Sequence, residues 1–458
     1  MSIKTSESKY NLINNRIKYG TNNSVIVDTD TLIVDASTNR VGINTSTPQA
    51  TLDVSGSLNI DTSNIINSMS GYRINTPTDT QIFTNVNNNV QWSYNQEIFD
   101  GANMFPNIGV SNSFLSSTYV APNQGWFGSC LGPNGNIYTT PYFQSSTIII
   151  NTITDTWQIQ NIPTTLSTRS FCIGGVCASN GKIYMFPIGA GGVLVNDIPN
   201  NRFYNINISF DTGLIGGYTG CCLGQNGKIY AIPRGANNVL VVNPVDDSYY
   251  FITSPDVSSG TDRKWFSGSL ALNGKIYCPP ARATSILVID TNTDTMTASI
   301  PTLSGIPTNG TADEGKYWGS CLAPNGKIYC SPQNSSGPDA GSRFLEIDPI
   351  TDTYVYVGAS FSGTRKYAGG TLGFDGNIYC GSDNFGNAIR FNPNNYSTTT
   401  LSTSTRLWSG SLAPNGKIYF YPRQGSGTPS NQLNAVRIID TGIPVLQPWM
   451  LAPEFNKL

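Results

Sequence analysis

Histidine is missing from all 458 residues of this chain. Its absence removes the usual general base near neutral pH, the commonest metal ligand and any Ser-His or Cys-His pair, which argues against most hydrolases and metalloenzymes. Charge is scarce too: 12% of residues are charged and the formal net charge is -2, where an ordinary soluble domain carries about 25%. That composition supplies no overall basic field for nucleic acid or an anionic membrane. No apolar run approaches the roughly 18 residues that a membrane-spanning helix needs. The opening Met-Ser-Ile-Lys-Thr-Ser-Glu lacks the apolar stretch of a signal peptide, so a soluble chain without membrane insertion is expected. The nine cysteines are odd in number and follow neither a disulfide framework nor CxxC zinc spacing. Most are expected to be free thiols packed as small apolar groups, and no cofactor or metal is expected.

What is abundant is repetition. An aromatic residue, a few small residues and then a phrase close to Asn-Gly-Lys-Ile-Tyr recur seven times, with glycines at Gly135, Gly181, Gly227, Gly274, Gly326, Gly376 and Gly416. Spacings of 46, 46, 47, 52, 50 and 40 residues match the period of a propeller blade. In the fifth copy Asn325-Gly326 separates two apolar runs, the signal of a hairpin turn. Phe344-Leu-Glu-Ile-Asp348, a polar turn and Tyr354-Val-Tyr-Val357 make a second hairpin. The expected fold is therefore all-β: a seven-bladed β-propeller of four-stranded antiparallel blades with a small N-terminal β segment. Expected domains are 1–88, an anchoring and oligomerisation region, 89–445, the propeller, and 446–458, a tail.

The array resembles kelch repeats, whose blades pass from a basic residue through an NGKIY-like strand to a TDTW-like turn, here Thr154-Asp-Thr-Trp157. It departs from them after the tyrosine, where a Gly-Gly doublet gives way to Met185-Phe-Pro, Ala231-Ile-Pro, Cys278-Pro-Pro and Cys330-Ser-Pro. Copper enzymes on kelch-like propellers use histidine ligands, and none can be carried over. The seventh copy has no evident fourth strand; an open ring would leave an unpaired sheet edge, closed either by Asn89 to Phe99 or locally by Val445 to Leu451. Counting outward from a two-residue loop at Asn325-Gly326 sets Cys321 opposite Cys330, about 4.5 Å apart at Cα and inside disulfide range. A disulfide there stands beside the alternative of free thiols, since a three-residue bulged turn would break the register.

Upstream, Val41-Gly-Ile-Asn-Thr-Ser-Thr-Pro48 with Leu52-Asp-Val-Ser-Gly56 resembles the VGIGT-x-x-P…LDVSG segment of tail and surface fibres of phages and large DNA viruses. That resemblance implies a stalk, commonly trimeric, with Val41, Ile43, Leu52, Val54, Leu58 and Ile60 as its buried face. Strands this poor in apolar residues bury a core only when chains wind together. It also implies a virion component made in the host cytoplasm, with itself as a homotrimer, other virion proteins and a host-surface glycan as partners.

Aromatic and basic residues gather ahead of each blade: Arg169 with Phe171, Arg263-Lys264-Trp265, Lys316-Tyr317-Trp318, Arg365-Lys366-Tyr367, Arg406 with Trp408, and Trp126 without a charge. Such groups suit sugar rings or acidic glycans; alternatively the aromatics wedge between blades and the cations cap carbonyls. Variable connections such as Gln333 to Ser342 and Leu303 to Gly315 fall on the same rim, where binding is usually found. Asp290, Asp348 and Asp440 recur as turn caps. The expected function is a virion fibre, spike or surface protein, not an enzyme. The alternative, a glycosidase or lyase, needs carboxylates near the axis, for which Asp262, Asp313 and Glu314 are the candidates.

Overall fold

In a computed structural model of the chain, the described residues are 126–441, except 143, 168–171, 189–191, 209–216, 258–262, 308–314, 336–337, 384–386, 404–405 and 423–435, together with the backbone of earlier strands. The chain divides into two units, 1–95 and 96–458. In the first, Ile17–Tyr19, Val25–Val27, Leu32–Asp35, Arg40–Ile43 and Leu52–Val54 form one five-stranded sheet. Val41 and Ile43 face Leu52 and Val54 across its parallel pair. Leu58 and Ile60 lie outside the described residues.

The second unit is a seven-bladed propeller of four-stranded antiparallel sheets. Blade 3 is typical: Tyr218–Leu223, Ile229–Pro233, Asn238–Asn243 and Ser248–Thr253. Its second strand is buried throughout, whereas its fourth is half exposed, so the continuous apolar runs lie inside and the polar, alternating ones form the rim. Apolar clusters fill the spaces between blades, each built from two neighbours, as between blades 4 and 5. The first strands surround the axis; Trp126–Leu131 touches both Cys172–Cys177 and Leu407–Leu412, which closes the circle.

Closure is achieved by neither expected segment. Ser111–Leu115 pairs antiparallel with Val436–Asp440 and becomes the fourth strand of blade 7. Asn89–Ser93 pairs instead with Thr80–Val86 in the first unit, and Val445 to Leu451 lies outside the described residues. Ser111 is level with Asp440 and Leu115 with Val436. The chain thus enters the ring at the face that carries the Asn-Gly turns, the turn face, and leaves the strand at the opposite, loop face.

The Asn-Gly turns differ from the two-residue form, and the difference moves every cysteine. Gly326 N donates to Ala323 O at 3.0 Å and Ala323 N to Lys327 O at 2.9 Å. Only Gly326 has positive φ, at 78°, so a type I turn is followed by a glycine bulge. Asn325 is there for its side chain, whose Oδ1 accepts Lys327 N at 3.1 Å. The extra residue slips the register by one: Cys321 faces Tyr329, and Cys330 faces Ser320. The two sulfurs therefore belong to different clusters, Cys330 between blades 4 and 5 and Cys321 between blades 5 and 6. Both are free thiols, the alternative held beside a disulfide; the correction is to the register that set them opposite each other.

The repeated phrase is also an interface. Asn226 Nδ2 donates to Tyr230 Oη at 2.8 Å, Tyr230 donates to Asp294 of the next blade, and Lys228 Nζ meets the same carboxylate at 2.6 Å. Asp294 holds a left-handed conformation, φ 53°, at the end of the outer hairpin turn, a place suited to Asp or Asn. The same clamp joins Asn180, Lys182 and Tyr184 to Asp247 and Asn273, Lys275 and Tyr277 to Asp352. Across the ring closure, Asn415, Lys417 and Tyr419 grip Asp155.

Candidate recognition face

Each blade's first strand starts at the loop face, and the bulge seen there in most blades splits the predicted rim residues into two kinds. Residues at the strand start wedge between blades. Trp126 and Trp265 are buried, with their indole N–H groups on Ser146 O at 3.0 Å and Ser285 O at 2.9 Å. Tyr317 is fully buried and its hydroxyl accepts Gly341 N at 2.9 Å; burial pushes the hydroxyl pKa far up. Tyr367 is buried against the edge of Phe361.

The lysines just ahead of them are buried as well. Lys264 Nζ donates to Ala236 O at 2.7 Å, Lys316 Nζ to Ala283 O at 2.7 Å, and Lys366 Nζ to Gly363 O at 2.9 Å and Ser335 Oγ at 3.0 Å. Burial lowers Lys316 and Lys366 to about 8. These three do not reach a surface ligand; they cap carbonyls, the alternative that the sequence left open. Their backbones continue the brace: Lys264 N to Arg234 O, Ala281 N to Lys264 O, Lys316 N to Ala281 O, Gln333 N to Lys316 O, Lys366 N to Gln333 O and Asp383 N to Lys366 O. This belt ties blades 3 to 6 at the loop face. Arg263, Arg365 and Arg406 remain at least partly exposed, while Arg169 lies outside the described residues, as do Asp262, Asp313 and Glu314.

The residue after each wedge position lines the axis: Phe127, Ile173, Thr219, Phe266, Trp318, Ala368 and Trp408 all border one axial cavity. Their sizes determine how the axis fills. Ala368, between the two tryptophans, lets Trp318 and Trp408 stack at 5.3 Å and 8°. Phe266 covers the other side of Trp318 at 4.9 Å, Phe127 meets Trp408 at 3.8 Å, and Tyr142 follows Phe127 at 5.2 Å. Arg234 lies over Phe266, its guanidinium 5.8 Å from the ring. The aromatic faces are thus used on one another. The remaining space, beside Ile173 and Thr219, is a cavity of about 80 Å³, smaller than the ~150 Å³ void that admits benzene. Trp318 and Trp408 were legible as rim aromatics; Phe127 and Phe266 were missed, although their offset of one residue past the wedge position is visible in each repeat.

Small residues allow this close approach. A Cβ on Gly319 would lie 2.4 Å from Gly369 Cα, and Gly369 itself has φ 70°. The carboxylates after the third strands are turn caps, as expected: Asp290 Oδ1 accepts Asn292 N and Asp348 Oδ1 accepts Ile350 N, each at 2.9 Å.

No protein-family model matches the chain, and no curated protein does. Solved structures do match. A virginiamycin B lyase from Staphylococcus aureus, solved as a catalytically inactive histidine-to-alanine variant with quinupristin, is 12% identical over 72% of this chain and 99% of its own, with a TM-score of 0.56. A fungal alcohol oxidase in complex with copper is 16% identical over 72% of this chain and 76% of its own, TM-score 0.51. The WD40 repeats of RRP9 are 10% identical over 72% and 97%, TM-score 0.50. At such identities the likeness is one of fold, a β-propeller.

Proposed function

We propose that this chain is a virion surface protein, whose N-terminal region assembles a trimer and anchors it, and whose propeller recognises a host-surface glycan or another virion protein. The observation that carries the reading is the closing strand. Ser111–Leu115 starts at the turn face, level with Asp440, and we assign the opposite, loop face, with its variable connections, to a partner. The fibre-like phrase from Val41 to Gly56 supports the anchoring half. A lyase or oxidase chemistry gains no support from the fold neighbours: the lyase was inactivated by losing one histidine, and this chain has none.

Attachment is the test. Soluble full-length protein in excess is expected to displace particles that carry it from host cells, or to capture another protein from disrupted particles; absence of both refutes the reading. Native mass spectrometry of the full chain checks assembly, with a trimer expected and a monomer contradicting the stalk.

A further inference from the structure

Among the described residues, charge is partitioned between the two faces of the ring, beneath a net charge of -2. The turn face holds the clamp carboxylates Asp155, Asp247, Asp294 and Asp352 and the turn caps Asp290 and Asp348, with lysines engaged in clamps. At the loop face the described carboxylates are Asp256, Asp339 and Asp383, and all are engaged. Asp256 accepts from Ser254, Thr297 and Ala298 N, Asp339 pairs with Arg343 at 3.2 Å, and Asp383 is fully buried on Gln333 Nε2 at 2.9 Å. Against them stand Arg263 and Arg282 on blade 4, Arg365 ahead of blade 6 and Arg406 ahead of blade 7, above the three buried lysines.

Two of these arginines are held in an unfavourable backbone conformation. Arg263 has φ 65° and Arg365 φ 54°, each directly before a buried lysine. Among the described residues, every other non-glycine residue with positive φ belongs to an outer hairpin turn, where it is Asp, Asn or Tyr. A left-handed arginine costs about 1–2 kcal/mol, and such outliers gather at functional positions. Arg282 N donates to Arg263 O at 2.9 Å, which joins the backbones of the two arginines at this face. Arg282 and Arg406 form no ion pair with a described carboxylate.

We infer that the loop face binds an anionic saccharide through these arginines, reading carboxylate or sulfate groups rather than sugar faces. The inference rests on the glycan branch of the proposed function and narrows it. Guanidinium forks match both anions in bidentate geometry, and the cationic face lies opposite the acidic one, which orients an approaching polyanion. Stacking is not available as the main contact, because the axial rings cover one another and the cavity beside them is too small for a sugar ring. The same shortage of open aromatic faces disfavours single-stranded nucleic acid, which binds on stacking platforms.

The test is retention of the full-length protein on immobilised dextran sulfate, on hyaluronan, on neutral dextran and on duplex DNA at one ionic strength. Retention on dextran sulfate, on hyaluronan or on both is expected, and identifies the anion read; neutral dextran should retain nothing. Arg263→Gln with Arg282→Gln, Arg365→Gln and Arg406→Gln should weaken binding about tenfold or more, with Lys275→Gln on the turn face as an unaffected control. The pair Arg282→Gln and Arg406→Gln, whose side chains brace nothing described, should still lose about threefold if the fourfold variant misfolds. No retention on either polyanion, equal retention on neutral dextran, stronger retention on DNA, or full retention by the paired variant overturns the inference. Attachment that is competed by the full chain but insensitive to these polyanions would overturn the anionic-saccharide inference alone, leaving the proposed function standing.

Discussion

Replacing Asp294 tests whether the repeated phrase is an interface rather than a turn signal alone. The carboxylate receives Tyr230 and Tyr250 hydroxyls and Lys228 Nζ. Hydrogen bonds to a charged group contribute about 1.5–3 kcal/mol each. With Asp294 and Lys228 side chains 28% and 31% exposed, solvent screening favours the low end, and the freed donors regain water. Asp294→Asn should therefore cost about 2 kcal/mol. Asp294→Ala should cost about 3 kcal/mol, the increment coming from alanine at φ 53°. Urea unfolding of the single variants and of Asp294→Ala with Tyr230→Phe should give a coupling of about 1 kcal/mol, and effects additive within about 0.3 kcal/mol would refute the clamp. Burial acts to raise the Asp294 carboxyl, but the hydrogen bonds from Lys228, Tyr230 and Tyr250 outweigh it and hold it below the ordinary carboxylate range. The folded pKa is depressed, so this stability is present above an unfolded pKa of about 3.9 and disappears as pH falls through the folded value. Asp294→Asn should flatten that acid limb.

Gly319→Ala should be among the most damaging small substitutions, costing several kcal/mol on the order of a severe core clash, because its Cβ would meet Gly369 backbone at 2.4 Å; a variant with unchanged urea midpoint would contradict the tight axial packing. Thiol counting after unfolding without reductant should find all nine cysteines, and native alkylation should be slow, since burial pushes Cys172 to about 12 and Cys177 to about 11; a count of seven would restore a disulfide. Burial lowers Lys316 to about 8, below an unfolded value of about 10.4. The folded chain releases that proton first, so stability should rise between about pH 8 and about 10.4, and Lys316→Met should remove part of the rise in urea titrations.

Blade number and strand order were legible because the interface demands them. Asn226, Lys228 and Tyr230 must stand at fixed offsets to reach Asp294, so the same letters recur wherever the same contact recurs. The register was not legible, since Asn-Gly is compatible with a two-residue turn and with a type I turn plus bulge, and only the placement of Asn325 Oδ1 on Lys327 N decides between them. The rim was legible in composition and not in depth. Lys264, Lys316 and Lys366 read as surface cations, but each precedes a strand whose first residue wedges inward, and the backbone belt draws them in with it. The closing strand, Ser111–Leu115 with sequence Ser-Asn-Ser-Phe-Leu, has no repeat phrase at all, because a strand that borrows its turn partner from the other end of the ring needs only an edge to pair with.

The departures from the phrase obey the same chemistry as the phrase. Blade 1 has Asn136 where lysine is usual, and the facing turn residue of blade 2 is Asn201 rather than aspartate. Blade 6 has Asn377, and the next blade's outer hairpin is formed by strands from opposite ends of the ring, so no turn residue is there to grip; Asp375 instead takes Tyr379 and Asn377 of its own blade, each at 2.7 Å. In blade 5 the lysine survives but its aspartate is replaced by Tyr396, and Lys327 turns to Glu346 of its own third strand at 2.5 Å. Cation and carboxylate are thus kept together at four interfaces and lost or redirected together at three. An accidental surface lysine would not track a partner some sixty residues away in this manner. The repeats therefore mark scaffold on the turn face, and it is among the residues that differ from blade to blade at the loop face that recognition is to be sought.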